Sequence, residues 1–247
     1  MTGRAGINCI PKIQQMFVLR TRAYLEYGQL VDLFTFDNGL VTAVTRNSRR
    51  GKSPLKAMLQ PFNLLTASLS GAGELMNISH VEIKNRYALG IYETFCGQYL
   101  NELLFYLMER NVPHPEVFNG YLYSLSYLTD YGMLGVEPVF RYFELSVLSQ
   151  LGYGINFSID SQGNRISEEE RYFYDPATGF IPATGWTELT TYSGCDLKRL
   201  GAGELRDRSV LATAKKICRQ AIDSHLGNHR IKSRELFSKY RAMMRRQ

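Results

Sequence analysis

Arg46, Arg49, Arg50, Lys52 and Lys56 crowd into the segment TRNSRRGKSPLKAMLQPF, which runs from Thr45 to Phe62. No Asp or Glu stands between Asp37 and Glu74. A solvated loop ordinarily mixes signs, because like charges repel. Cationic charge left uncompensated suits a polyanion. Gly51, Ser53 and Pro54 are loop formers, so the contact expected is sequence-independent positioning on phosphates, not base readout. A second basic group lies at the C-terminal end, where twelve Lys and Arg between Arg206 and Arg246 face only Asp207, Asp223 and Glu235. Within it, Lys232 and Arg234 are the candidates for phosphate contact, the alternative being an ordinary exposed helix face. A third candidate is Arg141, in Phe140-Arg141-Tyr142-Phe143-Glu144-Leu145. A guanidinium among aromatic rings suits a carboxylate beside an apolar pocket. It equally suits an ion pair with Glu137 or Glu144 on the same helix.

Signatures of catalysis are missing. There is no GxxxxGK[ST] loop and no GxSxG elbow, and Gly71-Ala72-Gly73 lacks the third glycine of a dinucleotide turn. His225 and His229 have the spacing of a metal pair on a helix, but Gly227 and Asn228 between them end a helix rather than continue it. His80 and His114 stand alone. Cys9, Cys96, Cys195 and Cys218 form no CxxC pair, so neither a zinc site nor a disulfide framework is expected. The residues point to a binding protein without cofactor or metal, not to an enzyme.

The chain has 247 residues, 45% of them hydrophobic, and a formal net charge of +6. That is enough apolar material for a real core, and the charge favours an acidic partner. No uninterrupted apolar run reaches the length of about eighteen residues that a membrane span requires. The opening MTGRAGINCIPKIQQ lacks the apolar centre of a signal peptide. A loose leader over residues 1–15 and a cytoplasmic protein are the expectations.

The elements that must position these side chains divide into two kinds. Apolar runs begin at Phe17, Leu30 and Leu40, with Asp37-Asn38-Gly39 as a tight turn between the last two. Leu65, Ala67 and Leu69 alternate with Thr66, Ser68 and Ser70, the period of a half-buried strand. Leu75 to Ile83 supplies a fifth strand. Five short strands with glycine turns predict a small antiparallel barrel of the OB-fold type over residues 16–84. From about Arg86 the period changes to that of helices. Tyr87 to Met108, a segment after Pro115, and Pro138 to Leu151 are predicted helices of a domain over residues 85–155. Residues 156–200 read as irregular, with a hairpin of Tyr172-Phe173-Tyr174 and Phe180-Ile181. Helices return at Arg208 to His225 and Arg234 to Met244, in a C-terminal portion, 201–247, that packs on the helical domain. The class is α+β.

Several pieces, in order along nearly the whole chain, resemble the RecO family of bacterial recombination mediators and DNA repair proteins. They are FVLRTRAYLEYGQLVDLFTFDNGLV, TRNSRRGKSPLKAMLQPF, SGAGELMNIS, YLNELLFYLMERNVPHPEVF, RYFELSVLSQLGYGINF and HLGNHRIKSRELF. The resemblance implies an N-terminal OB-fold followed by a helical domain. It implies binding of single- and double-stranded DNA without a nucleotide cofactor, and annealing of complementary strands. It further implies loading of RecA onto strands coated with single-strand-binding protein (SSB), in a cytoplasmic, nucleoid-associated setting. The implied partners are RecR and the acidic, Phe-ended C-terminal tail of SSB, whose carboxylate Arg141 would pair. An adaptor for SSB and RecR with only secondary DNA contact is the alternative. Many relatives carry two cysteine pairs that hold zinc after the LGYG motif. Only Cys195 is present in that segment here, so no zinc is expected, and Tyr172, Phe173, Tyr174, Phe180 and Trp186 are expected to hold the region by packing.

Overall fold

The structure is a computed structural model and describes residues 12–45, 54–71, 73–183 and 190–244. The chain forms two compact units. One comprises residues up to Ala88 together with Met108–Phe118; the other comprises Leu89–Leu107 and the chain from Asn119.

The first unit is a closed barrel of five strands: β1 (Ile13–Tyr24), β2 (Gly28–Thr35), β3 (Gly39–Thr45), β4 (Asn63–Ser70) and β5 (Leu75–Arg86), in the order β1-β2-β3-β5-β4. Neighbours pair antiparallel except β3 and β5, whose parallel pairing of Thr42–Val44 with Leu75–Asn77 closes the barrel. Closure removes the exposed strand edges that invite aggregation. Alternation places Met16, Val18, Val31, Leu33, Val41, Ala43, Leu65 and Ala67 inside, all nearly or fully buried. A short helix, α1 (Pro54–Met58), follows β3, and Leu59 just after it joins this core. Asn63 fastens the turn by donating from Nδ2 to the Met58 carbonyl at 2.9 Å. Outside the barrel, Phe17 and Phe34 are covered by Phe118, with ring centroids 5.3 and 5.7 Å apart. β1 begins at Ile13, so Gln14 and Gln15 of the expected leader lie in a strand, and Gln14 bonds to Asn38 and Asp37 of the β2–β3 turn.

That turn depends on Gly39. Its φ is +64°, and an added Cβ would collide with the Val112 carbonyl. Both the backbone conformation and the close approach exclude a side chain. Gly39→Ala is expected to lower stability by about 2 kcal/mol, measured as a shift in the urea midpoint at unchanged slope.

The second unit contains α2 (Ile91–Leu107), most of α3 (Pro115–Tyr131), α4 (Val136–Gln150), α5 (Gly194–Gly201), α6 (Arg208–His225) and α7 (Lys232–Met244). Leu100, Leu103, Tyr121, Leu125, Phe143 and Val147 are buried in it. Tyr121 carries its hydroxyl inward and donates it to Asn101 Oδ1 at 2.5 Å, since a buried hydroxyl left unpaired is costly. α7 packs on α2, and α6 on α4.

Between α4 and α5 lies a three-stranded sheet of β6 (Arg171–Asp175), β7 (Gly179–Pro182) and β8 (Tyr192–Ser193), in the order β7-β6-β8. Its hairpin falls on the residues predicted for it. Tyr172 and Phe180 are fully buried and join Phe157, Ile166, Leu197 and Ile217 in one cluster, with Tyr174 packed against it. The Tyr172 hydroxyl accepts from the Ser167 backbone at 2.8 Å and donates to Glu170 at 2.9 Å. Trp186 lies outside the described residues.

Candidate functional site

On the outer face of β1–β3 one carboxylate organises three guanidinium groups. Asp32 is fully buried. Its Oδ2 lies 2.9 Å from Arg20 Nε and 3.5 Å from Arg22 Nη2. Its Oδ1 accepts from Thr42 Oγ1 at 2.7 Å and lies 4.0 Å from Arg110 Nη2, while Arg110 Nη1 donates to Thr42 Oγ1 at 2.8 Å. The three arginine side chains remain 40%, 47% and 46% exposed. Three cations around one anion leave surplus positive charge at the surface. The shared carboxylate holds the planar forks in place, which suits bidentate contact with phosphate.

A β-bulge creates this cluster. Met16 and Val18 point into the barrel, so strict alternation would send Arg20 and Arg22 inward as well. The register shifts between Val18 and Arg20, and Arg20 pairs with Asp32 instead of Val31. The extra residue, Leu19, reverses which face the rest of β1 presents.

Beside the cluster, the β1–β2 turn forms the wall of an open depression of about 620 Å³ that includes Tyr24, Tyr27, Val44, Thr45 and Leu75. Tyr27 is 43% exposed, a ring on which a base can stack. Thr45 is the last residue of β3, immediately before the basic segment. Arg46, Arg49, Arg50 and Lys52 lie outside the described residues; Lys56 is exposed on α1.

The helical unit carries a separate concavity, of about 160 Å³. Phe95, Tyr99, Phe140 and Phe237 line it, and Arg141, Lys215, Arg219 and Arg234 bring cations to it. Its volume is that of a cavity that takes a benzene ring, about 150 Å³. Arg141 is 7% exposed and donates from Nη2 to Glu144 Oε1 at 2.6 Å; Tyr99 donates to the same oxygen at 2.5 Å. The ion pair with Glu144 is the partner the same-helix reading expected, and Arg141 also lines the aromatic pocket. Its buried Nε has no hydrogen-bond partner among the described residues. Burial, then Glu144, drives the Tyr99 phenol well above its ordinary pKa, so it stays a donor. Burial and then Glu93 push the Cys96 thiol up to about 12, which removes it as a nucleophile.

The two C-terminal candidates part company. Lys232 is exposed at the start of α7. Arg234 turns into the pocket, donating to Asp223 at 2.7 Å and to the Tyr99 hydroxyl at 3.2 Å. Arg219, passed over in the sequence, lies on the pocket wall and has no acidic partner within 4 Å among the described residues. The histidine pair is divided between two rings: His225 stacks on Tyr153 and His229 on Tyr106. Among the described residues no three His, Cys, Asp or Glu stand close enough to hold a metal ion.

Comparison with known proteins agrees with this two-part arrangement. The family model described as recombination protein O N terminal matches residues 12–87, and the one described as recombination protein O C terminal matches residues 90–235. A protein of Tolumonas auensis named DNA repair protein RecO is 38% identical over 232 residues, covering 93% of this chain and 96% of its own. One from Actinobacillus succinogenes, of the same name, has the same identity and coverage. One from Escherichia coli O1:K1, again named DNA repair protein RecO, is 35% identical over 230 residues, with 92% and 94% covered. With both models matched in sequence and identity sustained across nearly the full length of these proteins, the chain belongs to the RecO family.

Proposed function

We propose that this protein is a recombination mediator in DNA repair. It binds single- and double-stranded DNA, anneals complementary strands, and helps load RecA onto SSB-coated single strands together with RecR. Such work takes place in the cytoplasm, at the nucleoid. The observation that carries the DNA-binding reading is the Arg20, Arg22 and Arg110 cluster on the barrel, beside the strand end that leads into the basic segment. Neutralising two backbones lowers their mutual repulsion, so annealing is accelerated without any bond being made or broken. Tyr24 and Tyr27 offer rings for bases at the same end of the barrel.

The pocket of the helical unit supports the second part of the proposal. An SSB tail ends in a phenylalanine and its carboxylate, preceded by acidic side chains. The apolar floor suits the ring, Arg141 the terminal carboxylate, and Arg219 the acids before it, since Lys215 is paired with Glu137 at 3.5 Å. The same pocket favours the adaptor reading, in which partner capture is primary and DNA contact secondary.

One titration tests the proposal. A labelled single strand is bound across a range of salt, with and without the SSB tail peptide. Affinity is expected to fall steeply with salt, by about 0.7 in log–log slope per phosphate neutralised, whether or not the peptide is present. Salt-indifferent binding, or none, refutes the DNA-binding reading. Reversing the charge of Arg49 and Arg50 separates the rivals: annealing lost with tail binding intact favours direct DNA work, and annealing kept favours the adaptor.

A further inference from the structure

Tyr123, Tyr127 and Tyr131 rise at four-residue intervals along one face of α3. Their ring centroids are 6.3 and 4.9 Å apart, and Tyr123 and Tyr131 are each 60% exposed. Leu134, 77% exposed, extends the strip beyond the helix, and Met133 next to it turns to the helical unit's pocket, its sulfur 3.5 Å from that of Cys96. The Tyr127 hydroxyl donates to the Leu134 carbonyl at 2.9 Å, and a Cβ at Gly135 would press on that same hydroxyl. The turn is therefore fastened to the rings, and the strip presents a fixed surface. Contiguous exposed aromatic surface is a common mark of an interaction site.

Its charge is opposite to that of the chain as a whole. From Asn111 to Phe140 there is no Lys or Arg, although the chain contains 29 of them; the charged residues in that stretch are Glu116, Asp130 and Glu137. Asp130 is exposed and the Glu93 carboxylate lies against Gly132, while Glu137 pairs with Lys215 at 3.5 Å on the edge of the helical unit's pocket. Beside the rings nucleic acid would meet Asp130 and Glu93; the cation Lys215 reaches only Glu137, at the pocket end. Stacked phenol faces beside carboxylates are what a guanidinium recognises: it lies flat on a ring and forks onto an acid, which an ammonium does less well.

We propose that this strip is a docking surface for a partner protein that presents arginine beside apolar side chains. It is a contact of opposite electrostatic character to the DNA-binding and tail-binding sites. The test uses the full-length chain and a fluorescent peptide of alternating Arg and Leu. Control peptides carry citrulline or Glu in place of Arg. The Arg peptide is expected to bind, the citrulline and Glu peptides to bind at least about tenfold more weakly, and Tyr123→Ser with Tyr131→Ser to remove about tenfold of the Arg-peptide affinity. Asp130→Lys, which leaves the rings in place, should give a comparable loss and guards against a folding defect in the tyrosine variant. Four results overturn the proposal: no binding of the Arg peptide, equal binding of its citrulline form, unchanged affinity in both variants, or variants whose only losses are oligonucleotide binding or self-association in sedimentation.

Discussion

Replacing Arg20 and Arg22 together with glutamine is expected to weaken duplex binding about a hundredfold near 0.1 M salt. The figure follows from counterion release. Each phosphate contact on duplex DNA contributes about 0.9 to the slope of log affinity against log salt, hence about tenfold at 0.1 M, and two contacts are lost. The slope itself should fall by about two. The variant leaves untouched two other partners of Asp32, Thr42 and Arg110, which stand 2.7 and 4.0 Å from it in the parent, so the carboxylate should not be stranded. Thermal unfolding checks that the barrel survives. A companion variant, Asp32→Asn, keeps all three cations but releases them from their common anchor. It raises the local charge by one while loosening the geometry. If orientation matters, it binds less tightly than charge alone dictates; if only charge matters, it binds more tightly. An unchanged slope in the glutamine variant would remove the cluster from the DNA interface.

How far these sites were legible in the sequence depends on the range of the interaction that builds each one. The Asp37-Asn38-Gly39 turn and the alternation of Leu65, Ala67 and Leu69 are local signals, and the barrel strands follow from them. The change of period near Arg86 is local too, and α2 begins at Ile91. The hairpin around Asp175 was readable because Asp175 and Gly179 are turn formers; the Asp175 carboxylate accepts from the backbone of Ala177 and Thr178 at 2.9 and 2.8 Å. The parallel closure of β3 on β5 was not readable, since no short-range pattern distinguishes it from an antiparallel partner. α1 and α5 have five and eight residues, too short for a hydrophobic period to show. The Arg20 cluster was hidden because a bulge leaves no mark on composition: VLRTR reads as plain alternation, and plain alternation assigns Arg20 to the wrong face. Arg110 reaches Asp32 from 78 positions away in sequence, beyond anything periodicity registers. Arg234 was read as a surface cation for the same reason, since its partners Tyr99 and Asp223 come from α2 and α6. Arg141 was legible as an unusual cation among rings, but the pocket around it takes walls from α2, α4, α6 and α7 and exists only in the folded unit.

Arg141→Ala is expected to weaken SSB tail-peptide binding about a hundredfold while leaving oligonucleotide affinity unchanged. Truncating one partner of a desolvated, hydrogen-bonded charge pair costs about 3 kcal/mol, which is that factor. The single substitution has a second consequence inside the protein. Glu144 is 1% exposed, and Arg141 is its cationic partner at 2.6 Å. Without the guanidinium, the carboxylate retains the Tyr99 hydroxyl but no compensating charge, and an uncompensated buried charge costs about 3–5 kcal/mol of stability. A loss of peptide binding in Arg141→Ala alone is therefore ambiguous between a missing contact and a disturbed pocket. Arg141→Ala combined with Glu144→Gln resolves it. The pair of changes removes both charges, and the Gln side-chain carbonyl can still accept from Tyr99, so stability should recover toward that of the parent. If Arg141 meets the peptide's terminal carboxylate, the double variant folds and still fails to bind. Amidating the peptide's C-terminus should then weaken its binding to the parent protein by a similar factor and have no further effect on the double variant. Should the double variant bind the free-acid peptide as tightly as the parent does, Arg141 is only a structural partner of Glu144, and the carboxylate must be held by Arg219 or Arg234 on the other walls of the pocket.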